Sequence, residues 1–336
     1  MTTAQPPFDC KICGSRLELL RRGTSPRYEP DTFRASFHGA ESHGDLYRCP
    51  SCGTVDQTSL PRGSELHALY RASGDDLYLA EQEGRRRTAR RLLDVLGAHV
   101  PKGRLLQVGC GYGLLLDEAR RRGYEVEGVD LSVEAVRYAS EQLGLPVRED
   151  ALEDATAAAL AAGERYEAIL AVDVLEHLED PPATLERMCA LLAPAGVLLI
   201  TTPDPSSFIA RVTGERWWGF APTHACLMPR ETLRGVLRGL GLVPVEELTA
   251  KQSFTLGYWL RCFGQRGDGP LARAIVGVAA RLPRRLILTA SLGDERILLA
   301  RCAGTREPTP GDPKQSALVD ARGPRESLRL GVHTTA

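Results

Sequence analysis

The chain has 336 residues, with 42 Lys plus Arg against 43 Asp plus Glu and a formal net charge of −1. That length holds a full α/β core and one small extra module, and the balanced charge lacks the basic excess expected of a nucleic-acid binder. No apolar run is long enough to span a bilayer, and no internal repeat is present.

The first 60 residues are neutral by themselves, with seven Lys plus Arg and seven Asp plus Glu. They carry two matched cysteine pairs, Cys10/Cys13 and Cys49/Cys52, each followed by glycine, in CKICG and CPSCG. Such pairs turn backbone amides toward thiolates, and four thiolates complete a closed, structural Zn2+ site. The gap between the pairs is longer than usual, so a loop or hairpin is expected over residues 23–44. His38 and His43 lie in that gap and are not needed as ligands. No apolar signal segment opens the chain, so a cytoplasmic, reducing location is expected, where metal binding suits paired cysteines better than disulfides. Residues 1–62 are read as a zinc-binding module.

Residues 63–100 read as helical, with Leu92, Leu93 and Leu96 at core spacing. Arg85, Arg86 and Arg87 read as a solvated face, with a binding patch as the competing reading. The stretch LLQVGCGYG, residues 105–113, carries the most information. Leu105, Leu106 and Val108 form a short buried strand, and Gly109, Gly111 and Gly113 form a turn where backbone approaches a ligand closely. Leu114, Leu115 and Leu116 then open a helix. A second apolar run, YEVEGVD, ends on Asp130, placed to accept hydrogen bonds from both hydroxyls of a ribose, with Leu131 beside it. Strand, glycine turn, helix, strand and acid make one nucleotide-binding half of a doubly wound sheet. A dinucleotide turn needs glycine where Leu114 stands, which disfavours a dehydrogenase, and no Walker lysine follows. The G-x-G-x-G form with a distant acid suits S-adenosylmethionine (SAM), which has no phosphates.

Further signals follow in order. Asp150, with Ala151 next to it, ends PVRED, where an acid accepts from an adenine amino group or caps the following helix. Asp173 sits at the carboxyl end of a buried strand in YEAILAVDVLEHLEDPP, where open α/β sheets place their ligand crevice. A purely structural acid is the competing reading there. These motifs together resemble the class I SAM-dependent methyltransferases, especially a bacterial group with VxGCGxG and LEHLxDP. The resemblance covers roughly residues 77–302. It implies a Rossmann-like, seven-stranded doubly wound sheet whose last strand, residues 294–302, is antiparallel and pairs near residues 242–249. It also implies that Gln107, where the family usually has an acid, reaches the methionine end of SAM, and that Tyr78 belongs to an amino-terminal lid formed by residues 63–100.

Methyl transfer is an in-line displacement, so positioning supplies much of the catalysis, and a hydroxyl acceptor also needs a base. His177 follows the fourth strand of the fold. His224 lies in WWGFAPTHACLMPRETL, a loop with enough aromatic surface to line a substrate pocket. That loop is similar to the family's H-x-x-x-F-S-x-x-T-L pattern, with Met228 and Pro229 replacing Phe and Ser. His224 is therefore the preferred base and His177 the second candidate; bonding a loop carbonyl is the competing role of His224, and capping or orienting the following helix that of His177. Residues 251–293 read as a helical insert, either a packed hairpin, a cover for the active site or a peripheral membrane contact. The polar residues 303–336 are expected to be disordered. By analogy of architecture, the expected reaction methylates oxygen, or carbon, of a small molecule, sugar or glycan. A zinc-containing RNA methyltransferase and a non-catalytic SAM-binding scaffold are the alternatives.

Overall fold

The computed structural model describes residues 8–24, 27–36, 43–264 and 269–302. His38 and the tail from residue 303 lie outside the described residues. In chain order the elements are β1 (Glu18–Arg21), β2 (Leu46–Arg48), β3 (Val55–Gln57), α1 (Ser64–Ala72), α2 (Asp76–Ala80), α3 (Gln82–Gly97), β4 (Arg104–Val108), α4 (Leu114–Arg121), β5 (Glu125–Asp130), α5 (Val133–Arg137), β6 (Val147–Glu149), α6 (Leu152–Ala161), β7 (Tyr166–Val172), α7 (Pro181–Leu191), β8 (Leu192–Pro203), α8 (Phe208–Thr213), β9 (Cys226–Leu227), α9 (Arg230–Gly239), β10 (Leu242–Thr249), β11 (Gln252–Thr255), α10 (Leu256–Gly264), α11 (Pro270–Ala279), β12 (Ile287–Ala290) and β13 (Glu295–Cys302).

The main sheet has seven strands in the order β10-β13-β8-β7-β4-β5-β6. Strands β4 to β8 are parallel, and β13 runs antiparallel to both β8 and β10. Neighbouring residues on each strand feed opposite faces, as a period of two requires. Leu106, Ile169, Leu198 and Leu298 join one apolar cluster, under α6, α7 and α9. Leu105, Leu170, Leu199 and Leu299 join the other, under α3 and α4. Leu93 and Leu96 are fully buried in that second cluster, so α3 is a layer of the fold, and the wall residues of the lid segment come from α1, α2 and the first turns of α3.

Two features depart from the sequence reading. The amino-terminal sheet has the order β1-β2-β3-β9, so its fourth strand comes from the loop that follows β8, far along the chain. The amino-terminal residues are thus hydrogen-bonded into the larger fold. The insert contains a helical hairpin, α10 and α11, but that hairpin stands on a two-stranded ribbon, β11 with β12. The ribbon lies on α3, where Arg91 reaches Ser253 Oγ (2.6 Å) and Thr289 Oγ1 (3.0 Å). A Cβ at Gly84 would come within 2.4 Å of the Ser253 carbonyl oxygen, so this close approach requires glycine. Among the described residues, no helix is long and apolar enough to cross a membrane.

Candidate functional site

A cavity of about 730 Å³ lies beyond the carboxyl ends of β4, β5 and β7. Its wall includes Tyr78, Gln107, Gly109, Gly111, Asp130, Leu131, Asp150, Asp173, His177 and His224. Gly113 and Ala151 are not on that wall. Gly113 is the cap residue of α4, and a Cβ there would press on Leu145 and Ala139. Ala151 is the buried cap residue of α6.

One end of the cavity is the glycine turn. Gly109 has φ +63°, and a Cβ on it would lie 2.5 Å from Val174 Cγ2, so no side chain fits. Asp130 closes the turn by accepting from the Gly111 amide (2.7 Å) and the Ser132 amide (2.9 Å). Burial pushes its carboxyl above the ordinary range, and the two amides oppose that shift. Two acceptor bonds leave lone pairs on both oxygens for a ribose. The competing role of Asp150 as a helix cap is not realised, because α6 starts from Ala151 with no side-chain cap bond. Gln107 Oε1 is buried with no hydrogen-bond partner, so it can accept from an ammonium group of a bound amino acid moiety. Tyr78 stacks on Tyr112 at 4.9 Å, and the Arg85 guanidinium lies 3.8 Å from the Tyr78 ring centroid.

Asp173 marks the middle of the cavity. It has φ +54°, uncommon for a residue other than glycine but better tolerated by Asp than by most. Its amide donates to Thr201 O (3.1 Å) and Thr201 Oγ1 (3.0 Å), and the Thr201 hydroxyl donates back to Oδ1 at 2.5 Å. Burial raises the carboxyl pKa, against the Thr201 bond and the charge of Arg85. Glu176 and Glu295 are also buried beside it. Burial and then the neighbouring Asp173 push Glu176 up to about 8, and the same two causes raise Glu295.

The other end holds both histidines. His224 is buried, and its Nδ1 lies 2.8 Å from Gly219 O. A carbonyl only accepts, so Nδ1 carries the proton and Nε2 keeps its lone pair. Burial pushes its pKa down to about 4. His177 packs edge-on against it, with ring centroids 4.8 Å apart. Its Nδ1 is within reach of Tyr70 Oη (3.0 Å) and Thr223 O (3.2 Å). Burial and then His224 push the His177 pKa down to about 3. Both rings are thus neutral near pH 7. Glu176, His177 and His224 each offer a ligand atom, all within 4.8 Å of one another.

Several site residues were missed in the sequence. Arg85 lines the cavity, and Arg86 is paired with Asp117 (2.7 Å) and Glu118 (3.0 Å), so only Arg87 suits the solvated face assigned to all three. The signal was present: Arg85 shares a helix face with Ala89, Leu92 and Leu96, at spacings of four, seven and eleven. Asp294 had no such signal. It accepts from Trp217 Nε1 and Trp218 Nε1, each at 2.6 Å, and so fixes both indoles. Phe254, Tyr258 and Trp259 from the insert line the cavity as well.

The four cysteines form a separate cluster. Cys10 Sγ lies 3.6 Å from Cys52 Sγ, and Cys13 Sγ lies 3.4 Å from Cys49 Sγ. A tetrahedral ion with metal–sulfur bonds near 2.3 Å sets its sulfurs about 3.8 Å apart, so these residues fit such an ion. The Cys52 amide also points at Cys49 Sγ (3.4 Å), as a thiolate-binding turn requires.

Residues 81–247 match the family described as a methyltransferase domain. The chain is 36% identical over 154 residues to a ubiquinone biosynthesis O-methyltransferase of Cereibacter sphaeroides (strain ATCC 17029 / ATH 2.4.9), and 34% identical over 155 residues to one of Dinoroseobacter shibae. In both cases the match covers 43% of this chain and 61% of the relative, so the chain spans less than two thirds of the length of these relatives. Among solved structures, a magnesium protoporphyrin IX methyltransferase from Synechocystis PCC 6803 with bound SAH aligns at TM-score 0.44 and 16% identity, over 69% of this chain and 90% of that one. A SAM-dependent methyltransferase from Archaeoglobus fulgidus aligns at TM-score 0.44 and 19% identity, over 68% and 100%. The matched segment is thus similar to a methyltransferase domain.

Proposed function

We propose that this chain, which matches a methyltransferase domain over residues 81–247, moves the methyl group of SAM to a hydroxyl oxygen of a small molecule. One observation carries the reading: a single cavity joins the Gly109–Asp130 turn at one end to a neutral His224 with a free Nε2 at the other. Asp130 takes the ribose hydroxyls, Asp150 takes the adenine amino group, and Gln107 takes the ammonium of the methionine end. The sulfonium then faces the Asp173 region, and His224 accepts the proton of the acceptor hydroxyl as the methyl group leaves sulfur. Its lowered pKa makes it a modest base that stays unprotonated far below neutral pH. The relatives named as O-methyltransferases support oxygen over carbon. Sugars and glycans remain within the proposed acceptor class, and the aromatic wall favours flat, partly apolar acceptors.

The test is calorimetric titration with SAM, with its product S-adenosylhomocysteine (SAH) and with NAD. Binding of SAM and SAH but not NAD is expected, and it directs a screen of hydroxylated acceptors with labelled methyl donor. Binding of NAD alone would remove the reading.

Two ancillary readings belong with it. The four cysteines hold one structural Zn2+, tested by metal analysis of the purified protein, where absence of metal together with a Cys10–Cys52 disulfide would refute it. The second is a peripheral membrane contact of the insert, set against the packed hairpin that covers the cavity as its competing role. Residues 269–293 contain Arg273, Arg281, Arg284 and Arg285 and no acid, and Leu271, Val278 and Leu288 are exposed. Sedimentation with anionic vesicles tests this, and equal recovery with neutral vesicles or none counts against it.

A further inference from the structure

We infer that the four-cysteine cluster is a positioning element for the acceptor end of the cavity, acting through Gln57 on the loop that holds His224. This rests on the methyl-transfer reading above and on the fit of those cysteines to a tetrahedral ion.

The path is short and continuous. Cys49 and Cys52 form the turn that leads directly into β3. The Cys49 amide donates to Thr54 O at 2.8 Å, and the Cys52 carbonyl accepts from Thr232 Oγ1 at the start of α9 (2.5 Å). Strand β3 then pairs with β9, Val55 with Leu227 and Asp56 with Cys226. At the end of β3, Gln57 is buried, and its backbone and side chain grip the same loop. Its amide donates to Ala225 O at 3.1 Å, and its side-chain Nε2 donates to Pro222 O. Its Oε1 accepts from the Gly44 amide at 2.8 Å. The two bonds to Pro222 and Ala225 bracket Thr223 and His224. The Thr223 carbonyl in turn lies beside His177 Nδ1.

The packing tells the same story. Leu46 of β2 and Val55 of β3 share an apolar cluster with Trp217 and Leu227, against which Trp218 and Phe220 pack. Phe33 shares another with Leu66 and Ala225. The aromatic stretch of the acceptor loop therefore shares its apolar core with the amino-terminal sheet, while Cys226 and Met228 at the end of the loop join the core of the seven-stranded sheet. The cofactor end differs: Gly109, Asp130 and Asp150 stand at the carboxyl ends of β4, β5 and β6, whose strand partners lie within the seven-stranded sheet. Release of the cysteine turn should loosen one end of the cavity and spare the other.

The experiment uses the full, metal-loaded chain in a Trp259→Phe background, so that Trp217 and Trp218 alone report. Metal removal by a chelator is expected to leave SAH affinity within about twofold while acrylamide quenching of the two tryptophans rises about twofold or more. Unchanged quenching after the metal has gone overturns the inference. Loss of SAH binding together with far-ultraviolet dichroism overturns it too, because the ion would then support the whole fold. Gln57→Ala, with metal retained, is the second arm. Raised quenching with normal SAH affinity supports the route through Gln57, and unchanged quenching refutes it. If SAH fails to bind even the untreated protein, it is the methyl-transfer reading that has failed.

Discussion

The two ends of the cavity are built in opposite ways. The cofactor end is local in sequence. Gly109, Gly111 and Asp130 fall within 22 consecutive positions, on β4, one turn and β5, and the parallel pairing of β4 with β5 sets them side by side. The acceptor end is assembled from segments far apart. Phe33, Tyr70, His177, the Trp217–His224 loop, Trp259 and Asp294 come from six different stretches of chain, and Asp294 fixes both tryptophans of the loop from more than 70 positions away. The comparison teaches that the glycine turn and its acid are a local device, whereas the opposite end of the cavity is a tertiary product.

If the halves are separable, damage to each should read out separately. The largest effect is expected from His224→Ala. Loss of a general base lowers turnover by about 10²- to 10⁴-fold, and SAH affinity should stay unchanged because no bond links His224 to the glycine turn. Turnover that survives intact removes His224 as the base. A parallel fall in SAH affinity breaks the comparison itself, because it would mean the two ends are one unit. The mirror experiment is Asp130→Ala. It removes the acceptor of two backbone amides as well as of the ribose. Hydrogen bonds to a charged group contribute roughly 1.5–3 kcal/mol each, so SAH affinity should drop by about 100-fold or more by calorimetry, with the tryptophan environment of the acceptor loop unaltered.

Legibility in the sequence followed the same divide. The seven-stranded sheet, the antiparallel β13 and its place beside β10 were expected from the family resemblance, which itself rests on local signals, the glycine turn and the LEHLED run. Asp130 and Gly109 were readable for the same reason. The grip of Asp294 on two indoles was not, because a lone Asp before a strand has no spacing rule to mark its partners. Nor was the fourth strand of the amino-terminal sheet. Cys226–Leu227 is a two-residue strand, too short for any period to declare itself. The arginine triplet was misjudged by composition, since three adjacent Arg residues point in three directions around a helix, and only one of them meets solvent alone.

A pH experiment sharpens the contrast at the level of stability. His177 and His224 are held at about 3 and about 4 in the folded chain, below the ordinary 6.5. Depressed imidazoles bind more protons when the chain unfolds, so the stability they contribute is complete above pH 6.5 and declines as pH falls toward 4. At pH 5 the deficit is about 2 kcal/mol for each ring. Glu176, raised to about 8, acts in the opposite sense: its contribution is complete below pH 4.5 and is lost as pH rises through 8. The two histidines sit at the acceptor end, with Glu176 beside them, so the loss of stability on acidification should arise at that end. His177→Gln is expected to flatten the decline in melting temperature between pH 7 and pH 5, and an unaltered slope would show that the imidazole is already protonated or hydrated in the native chain.

The smallest effect is the most discriminating for the adenine contact. Asp150 is only partly buried, its backbone amide bonds to Asp130 O at 3.2 Å, and its carboxylate is not used to start α6. If it accepts one hydrogen bond from the adenine amino group, Asp150→Ala should weaken SAH by only about three- to tenfold, the worth of a single bond made in partial competition with water. Stability should hardly change, because no cap is lost. The same substitution tested against an SAH analogue that lacks the adenine amino group should cost nothing. An equal loss with that analogue would place the contribution of Asp150 in the β5–β6 backbone rather than at the base, and would leave the purine end of the cofactor to be held by shape alone.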